Sequence, residues 1–153
     1  MGDTVFPDST QLTDADYLIA LCIAVALGAL IGLERRLRGH EGGMHLNALV
    51  SLGSAAYVIA GTLFNDDPTA PGRVAGQVVT GVGFLCAGFV FRQGSAVRGI
   101  NTAATVWCSA AVGVLCGMSL TLWGIIVAVL VLLTNVILHF VEHRLVRPNP
   151  PAE

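Results

Sequence analysis

The stretch RVAGQVVTGVGFLCAGFVFRQGSAVRGINTAATVWCSAAVGVLCG, residues 73–117, decides the fold. Two apolar, glycine-rich segments dotted with hydroxyl and amide side chains flank a short loop that carries Arg92 and Arg98. Each segment approaches the length a helix needs to cross a hydrocarbon core of about 30 Å, so the stretch reads as a transmembrane hairpin with polar chemistry at one mouth. A bilayer core has no water to satisfy stray polar groups. Gln77, Asn101, Thr102 and Thr105 therefore belong against protein, water or a ligand rather than lipid.

Composition extends this reading to the whole chain. The 153 residues are 54% hydrophobic and 12% charged, with a mean hydropathy of +0.74. A soluble domain carries roughly 25% charged residues, so an all-α, polytopic membrane helix bundle is expected. Apolar runs place five spans at residues 17–33, 46–64, 74–91, 102–117 and 120–139. Residues 1–16, with Pro7 and four aspartates, read as an extracytoplasmic tail without the positive start of a signal peptide. Residues 144–153, rich in proline towards the end, read as a cytoplasmic tail.

Arginine supplies every fixed positive charge, for there is no lysine. Arg35, Arg36 and Arg38 follow span one, Arg92 and Arg98 follow span three, and Arg144 and Arg147 follow span five. The other side carries Arg73 against Asp3, Asp8, Asp14, Asp16, Asp66 and Asp67. Positive charge gathers on the cytoplasmic side of membrane proteins, which puts the N-terminus outside and the C-terminus in the cytoplasm. An ungapped offset of 55 residues also aligns Gly28 with Gly83, Ala48 with Ala103 and Ser54-Ala55-Ala56 with Ser109-Ala110-Ala111. Either a parallel internal duplication or coincidence among small-residue helices accounts for this pattern.

The blocks GLERRLRGHEGGMHLNALV (32–50), RVAGQVVTGVGFL (73–85), VRGINTAAT (97–105) and WCSAAVGVLCG (107–117) together resemble the MgtC/SapB family of bacterial inner-membrane proteins. The likeness covers residues 18–143, and residues 17–143 form the MgtC/SapB-like transmembrane domain. It implies a five-span inner-membrane protein connected with growth at low magnesium and, in pathogens, with survival inside host cells. Longer relatives are thought to restrain the F-type ATP synthase and carry a cytoplasmic ACT-type domain; no segment after residue 147 here is long enough to form one. Two departures stand out. Met44-His45-Leu46 precedes Asn47 where the family commonly reads Leu-Arg-Thr, and Cys86 stands where a glycine is common.

Candidate contacts fall into two groups. At the cytoplasmic mouth, the resemblance places Glu34 and Arg35 in a Gly-Leu-Glu-Arg motif. Glu34 would need a cationic partner, with Arg92 or Arg98 the expected one, as a latch, a ligand contact or an interfacial ion pair. Arg98, Gly99, Asn101 and Thr102 precede span four, where unpaired N–H groups and the helix dipole suit an anion; Asn47 takes the comparable place before span two. Ordinary helix capping, with the arginine meeting lipid phosphates, explains the same residues. Within the membrane, Gln77, Thr80 and Thr105 could line a cavity or simply bond between helices.

Neither enzyme nor metal chemistry finds a foothold. His139-Phe140-Val141-Glu142-His143 matches the inverted zinc-protease pattern but lacks an evident third ligand, so no catalytic residue, metal or cofactor is assigned. Cys22, Cys86, Cys108 and Cys116 all fall within spans without paired spacing and read as small hydrophobes. The expected partners are the bilayer, a membrane protein complex and a second copy through glycine-rich faces, with no nucleic acid. Function then divides between a modulator of ion or energy homeostasis under magnesium limitation, acting on a complex such as the F-type ATP synthase, and a small transporter binding its solute at the mouth. Every acidic residue lies outside the apolar spans or at their ends, which weakens a magnesium pathway.

Overall fold

A computed structural model describes residues 12–39, 43–64, 67, 69–93 and 96–145. The tails proposed for residues 1–11 and 146–153 lie outside them. Five helices carry the chain: α1 (Asp14–Leu37), α2 (Met44–Leu63), α3 (Ala70–Phe89), α4 (Ile100–Gly117) and α5 (Thr121–Leu145). All five contain windows long and apolar enough to cross a membrane. Between α3 and α4 lies an antiparallel hairpin of β1 (Phe91–Gln93) and β2 (Ala96–Arg98), which pairs Phe91 with Arg98. The sequence reading has only a loop there, because strands of three residues leave no periodicity to detect.

Local chemistry sets the ends. Asp14 to Asp16 join α1 rather than a tail, because Asp16 accepts hydrogen bonds from the Thr13 backbone N–H and hydroxyl at 2.8 and 2.7 Å. Gly39, at φ 74°, ends α1 through an N–H bond to the Arg36 carbonyl. Gly99 turns the hairpin into α4 at φ 87°; a Cβ there would meet the Phe89 carbonyl oxygen. Past α4, the Ser119 N–H reaches the Cys116 carbonyl and the Leu120 N–H the Leu115 carbonyl, a Schellman turn that starts α5 at once.

Glycines decide the packing. A Cβ on Gly28 or Gly32 of α1 would strike the α2 backbone near Asn47 and Met44, so these helices lie antiparallel at close range. Gly113 and Gly117 of α4 press in the same way on Ser51 and Ala55 of α2, in register, so α2 and α4 run parallel. The central pair is thus α2 and α4. Around it, α1 packs on both central helices and so does α3, while α5 covers α4 and α1. The two halves do not pack alike: Gly28 of α1 abuts α2, whereas Gly83, aligned with it at the 55-residue offset, has open space beside it.

One apolar cluster holds Ala24, Ile31, Ala55, Val112, Cys116 and Ala128; a second holds Val78, Val82, Val106 and Ala110. Between α2 and α4 runs a buried polar seam of Asn47, Ser51 and Ser54 on one helix and Thr102, Thr105 and Ser109 on the other. These positions recur at helical spacing, so each set occupies one face.

Candidate functional site

One end of the bundle gathers the C-termini of α1, α3 and α5, the N-termini of α2 and α4, and the hairpin. Arg35 lies two residues before the end of α1, yet it is only 5% exposed. Its Nη2 donates to the Thr102 hydroxyl at 2.9 Å, joining α1 to the first turn of α4. Its Nε–H is buried without an acceptor. A buried guanidinium is costly to hold, and this one forms no direct ion pair among the described residues, with the adjacent Glu34 attracting it only through space.

The nearest acid is already engaged. Glu34 ion-pairs with Arg38, one turn along its own helix, and its Oε2 accepts from Asn135 Nδ2 of α5 at 3.3 Å. Arg38 Nη1 in turn donates to the Asn135 carbonyl oxygen at 3.4 Å. This triangle fastens α1 to α5. The expected pairing of Glu34 across the bundle with Arg98 is therefore corrected: Arg98 is exposed on β2, and a partner four residues away on the same helix reaches the carboxylate first. Arg92 lies on β1 opposite Val97; its side chain lies outside what is described.

Asn47 is 1% exposed at the start of α2. Its Nδ2 donates to the Gly43 carbonyl at 3.2 Å, and its Oδ1 accepts from Ser109 at 2.8 Å, which locks the central helices together. Thr102 and Thr105 are buried, whereas Asn101 is exposed and gives its carbonyl to the Thr105 hydroxyl at 2.8 Å. Glu34, Arg35, Asn47, Arg98, Asn101 and Thr102 thus share one end of the bundle but not one contact network. Arg35 and Thr102 touch; Asn47 looks into the seam; Arg98 and Asn101 face outwards.

The intramembrane set divides similarly. Thr105 joins the seam, but Gln77 and Thr80 are exposed on α3, and Thr80 bonds only the Gly76 carbonyl of its own helix. Gln77 edges a cleft of about 610 Å³ between α2 and α3 that is lined chiefly by apolar residues such as Leu49, Val50, Val82 and Leu85. Among the described residues this cleft is not the polar cavity that Gln77 and Thr80 could line, because α3 turns Val78 and Val82 to the core. Cys86, in place of the family's glycine, donates its thiol to the Ala103 carbonyl at 3.1 Å and ties α3 to α4.

Ser109, Arg38 and Asn135 make contacts the sequence reading missed. Asn135 is the lone amide in the apolar run of α5, and an intramembrane amide is itself a signal of a contact. No three His, Cys, Asp or Glu side chains among the described residues converge on a metal position. The side chains of Glu142 and His143, two of the three residues that define the zinc-protease-like pattern, lie outside what is described.

Comparison with known proteins places this architecture. The profile of the MgtC family matches residues 21–144. Protein MgtC of Salmonella typhimurium (strain LT2) is 43% identical over 129 residues, covering 84% of this chain and 55% of that protein. Protein MgtC of Brucella abortus (strain 2308) is 48% identical over 121 residues, covering 78% of this chain and 50% of that protein. The chain spans about half the length of the curated relatives it matches. No solved structure matches. With five membrane-length helices and a family match across nearly all of them, the chain belongs to the MgtC family.

Proposed function

We propose that this multi-pass membrane protein acts in the bacterial inner membrane, modulating ion or energy homeostasis under magnesium limitation by docking on another membrane complex. The observation that carries this reading is the outer face of α3. Gly72, Gly76, Thr80, Gly83 and Ala87 form an exposed small-residue stripe beside exposed Gln77. A Cβ added at Gly72, Gly76 or Gly83 meets no atom within 4 Å. Amides and hydroxyls are poorly placed against lipid, and small residues allow a foreign helix to approach, so the stripe suits a protein partner. The family resemblance makes the F-type ATP synthase the candidate complex.

The interior supports modulation over magnesium conduction. Among the described residues its buried polar side chains are Arg35, Asn47, Ser51, Ser54, Thr102, Thr105 and Ser109, with the one nearby carboxylate, Glu34, ion-paired to Arg38 at the end of the bundle. Mg²⁺ favours carboxylate and water oxygens and would be repelled by Arg35. A second reading, a small solute transporter, draws on the hydroxyl-lined seam between α2 and α4, with the arginine-bearing end as its cytoplasmic mouth.

Reconstitution into liposomes separates the two. The modulator reading expects no flux across a panel of cations and anions, together with recovery of ATP synthase subunits on native membrane pull-down that Gly76→Leu and Gly83→Leu abolish. Solute-dependent flux lost in Glu34→Ala or Asn101→Ala would instead establish the transporter.

A further inference from the structure

We propose that Arg35 and the first turn of α4 form a binding site for an oxyanion of the phosphate class. This goes beyond the docking role proposed for α3 and concerns the arginine-bearing end that the transporter reading takes as its mouth. The 18-residue helix α4 starts without a side-chain cap. Its first internal bond runs from the Ala103 N–H to the Gly99 carbonyl, so the N–H groups of Ile100, Asn101 and Thr102 precede the ladder. None of the three has an acceptor among the described residues. Ile100 is 57% exposed and Asn101 is exposed, so no described residue covers this positive helix end.

Arg35 supplies the independent observation. The side chain is 95% withdrawn from solvent, reaches this same turn through Thr102, and keeps an Nε–H without a partner among the described residues. It thereby adds a full positive charge beside the positive end of a helix dipole, an arrangement that repels itself unless an anion sits nearby. Adjacent Glu34 attracts Arg35, but its carboxylate also ion-pairs with Arg38, so the Glu34, Arg35 and Arg38 charges together keep a net positive one at this turn.

The chemistry at this turn is one-sided. The guanidinium and the backbone N–H groups can only donate. Thr102 accepts from Arg35, which leaves its own O–H proton free to point at a ligand. An acceptor with several oxygens and negative charge complements such a set, as phosphate does. Exposed Arg98, next to Gly99, adds long-range attraction. The phosphate could be a free ion or a lipid headgroup, because the turn lies at the end of a membrane span.

The test uses the full chain purified in an uncharged detergent. Inorganic phosphate and, separately, a short-chain phosphatidic acid are titrated against chloride at matched ionic strength. At least one probe should bind saturably, with affinity retained in Thr102→Ser, reduced about tenfold in Thr102→Val and lost in Arg35→Gln. Binding of inorganic phosphate alone identifies a soluble anion, and binding of phosphatidic acid alone a headgroup; either upholds the site. Failure of both probes to bind, or binding indifferent to Thr102→Val, overturns it. The threonine pair carries the test should Arg35→Gln not fold. Growth under magnesium limitation is scored apart: a variant that loses binding yet supports growth upholds the anion site and shows that the proposed modulating function does not depend on it.

Discussion

Ser119 occupies the left-handed backbone region at φ 61°, alone in this among the described non-glycine residues. An L side chain is strained there, while the Schellman turn between α4 and α5 requires that geometry. Ser119→Gly should therefore raise stability by about 1 kcal/mol, seen as a higher unfolding midpoint in detergent. At the opposite end of the bundle, Asp67 receives a hydrogen bond from Arg73 and further bonds from the Thr69 N–H and hydroxyl, which hold its carboxyl down from 3.8 to about 2. A depressed carboxyl stabilises the fold above its unfolded value and loses that contribution as pH falls through the folded value. Thermal midpoints of the native chain should accordingly fall between about pH 4 and pH 2 more steeply than those of Asp67→Asn. Single residues were the least legible scale in the sequence. Glu34 shows why: the chain displays several arginines near it, and only the helical turn reveals that Arg38 meets it first.

At the scale of the element, glycines that look alike in sequence do opposite work. Gly113 of α4 lies so close to α2 that a Cβ would stand 2.0 Å from the Ser51 carbonyl oxygen, backbone that cannot step aside. Gly83 of α3 has open space where its Cβ would be. Gly113→Ala should cost about 3 kcal/mol or more by forcing the central helices apart, whereas Gly83→Ala should be neutral or gain up to about 1 kcal/mol from helix propensity. Unfolding of the two variants in mixed detergent micelles checks the contrast. Hydropathy located every helix, with ends within four residues except that α5 runs six residues past the expected 139, because a bilayer demands continuous apolar runs. It did not show which face of α3 turns inwards. Gln77 and Thr80 were expected inside for their polarity, but Val78 and Val82 win the core, and the polar face remains for whatever packs outside.

At the scale of the whole molecule, alternate helices run in opposite directions, so Arg35, Arg38 and Arg98 share one end and Asp67 and Arg73 lie at the other. The arginine bias predicts that the first end is cytoplasmic. In a cysteine-free background, Arg98→Cys should react with an impermeant maleimide only in inverted inner-membrane vesicles, and Thr69→Cys only in intact spheroplasts; the reverse pattern would overturn the orientation. The sequence by itself determined the membrane class, the five spans, the asymmetry of charge and the family, because each is written in local composition or in contiguous motifs that any bilayer protein must display. Tertiary structure alone decided the rest. Small residues place α2 and α4 at the centre, and that crossing buries Arg35 against Thr102, 67 residues along the chain, while Asn135 of α5 closes on Glu34. Such long-range pairings depend on how closely backbones can approach, a property of helix faces in three dimensions that no single stretch of residues contains.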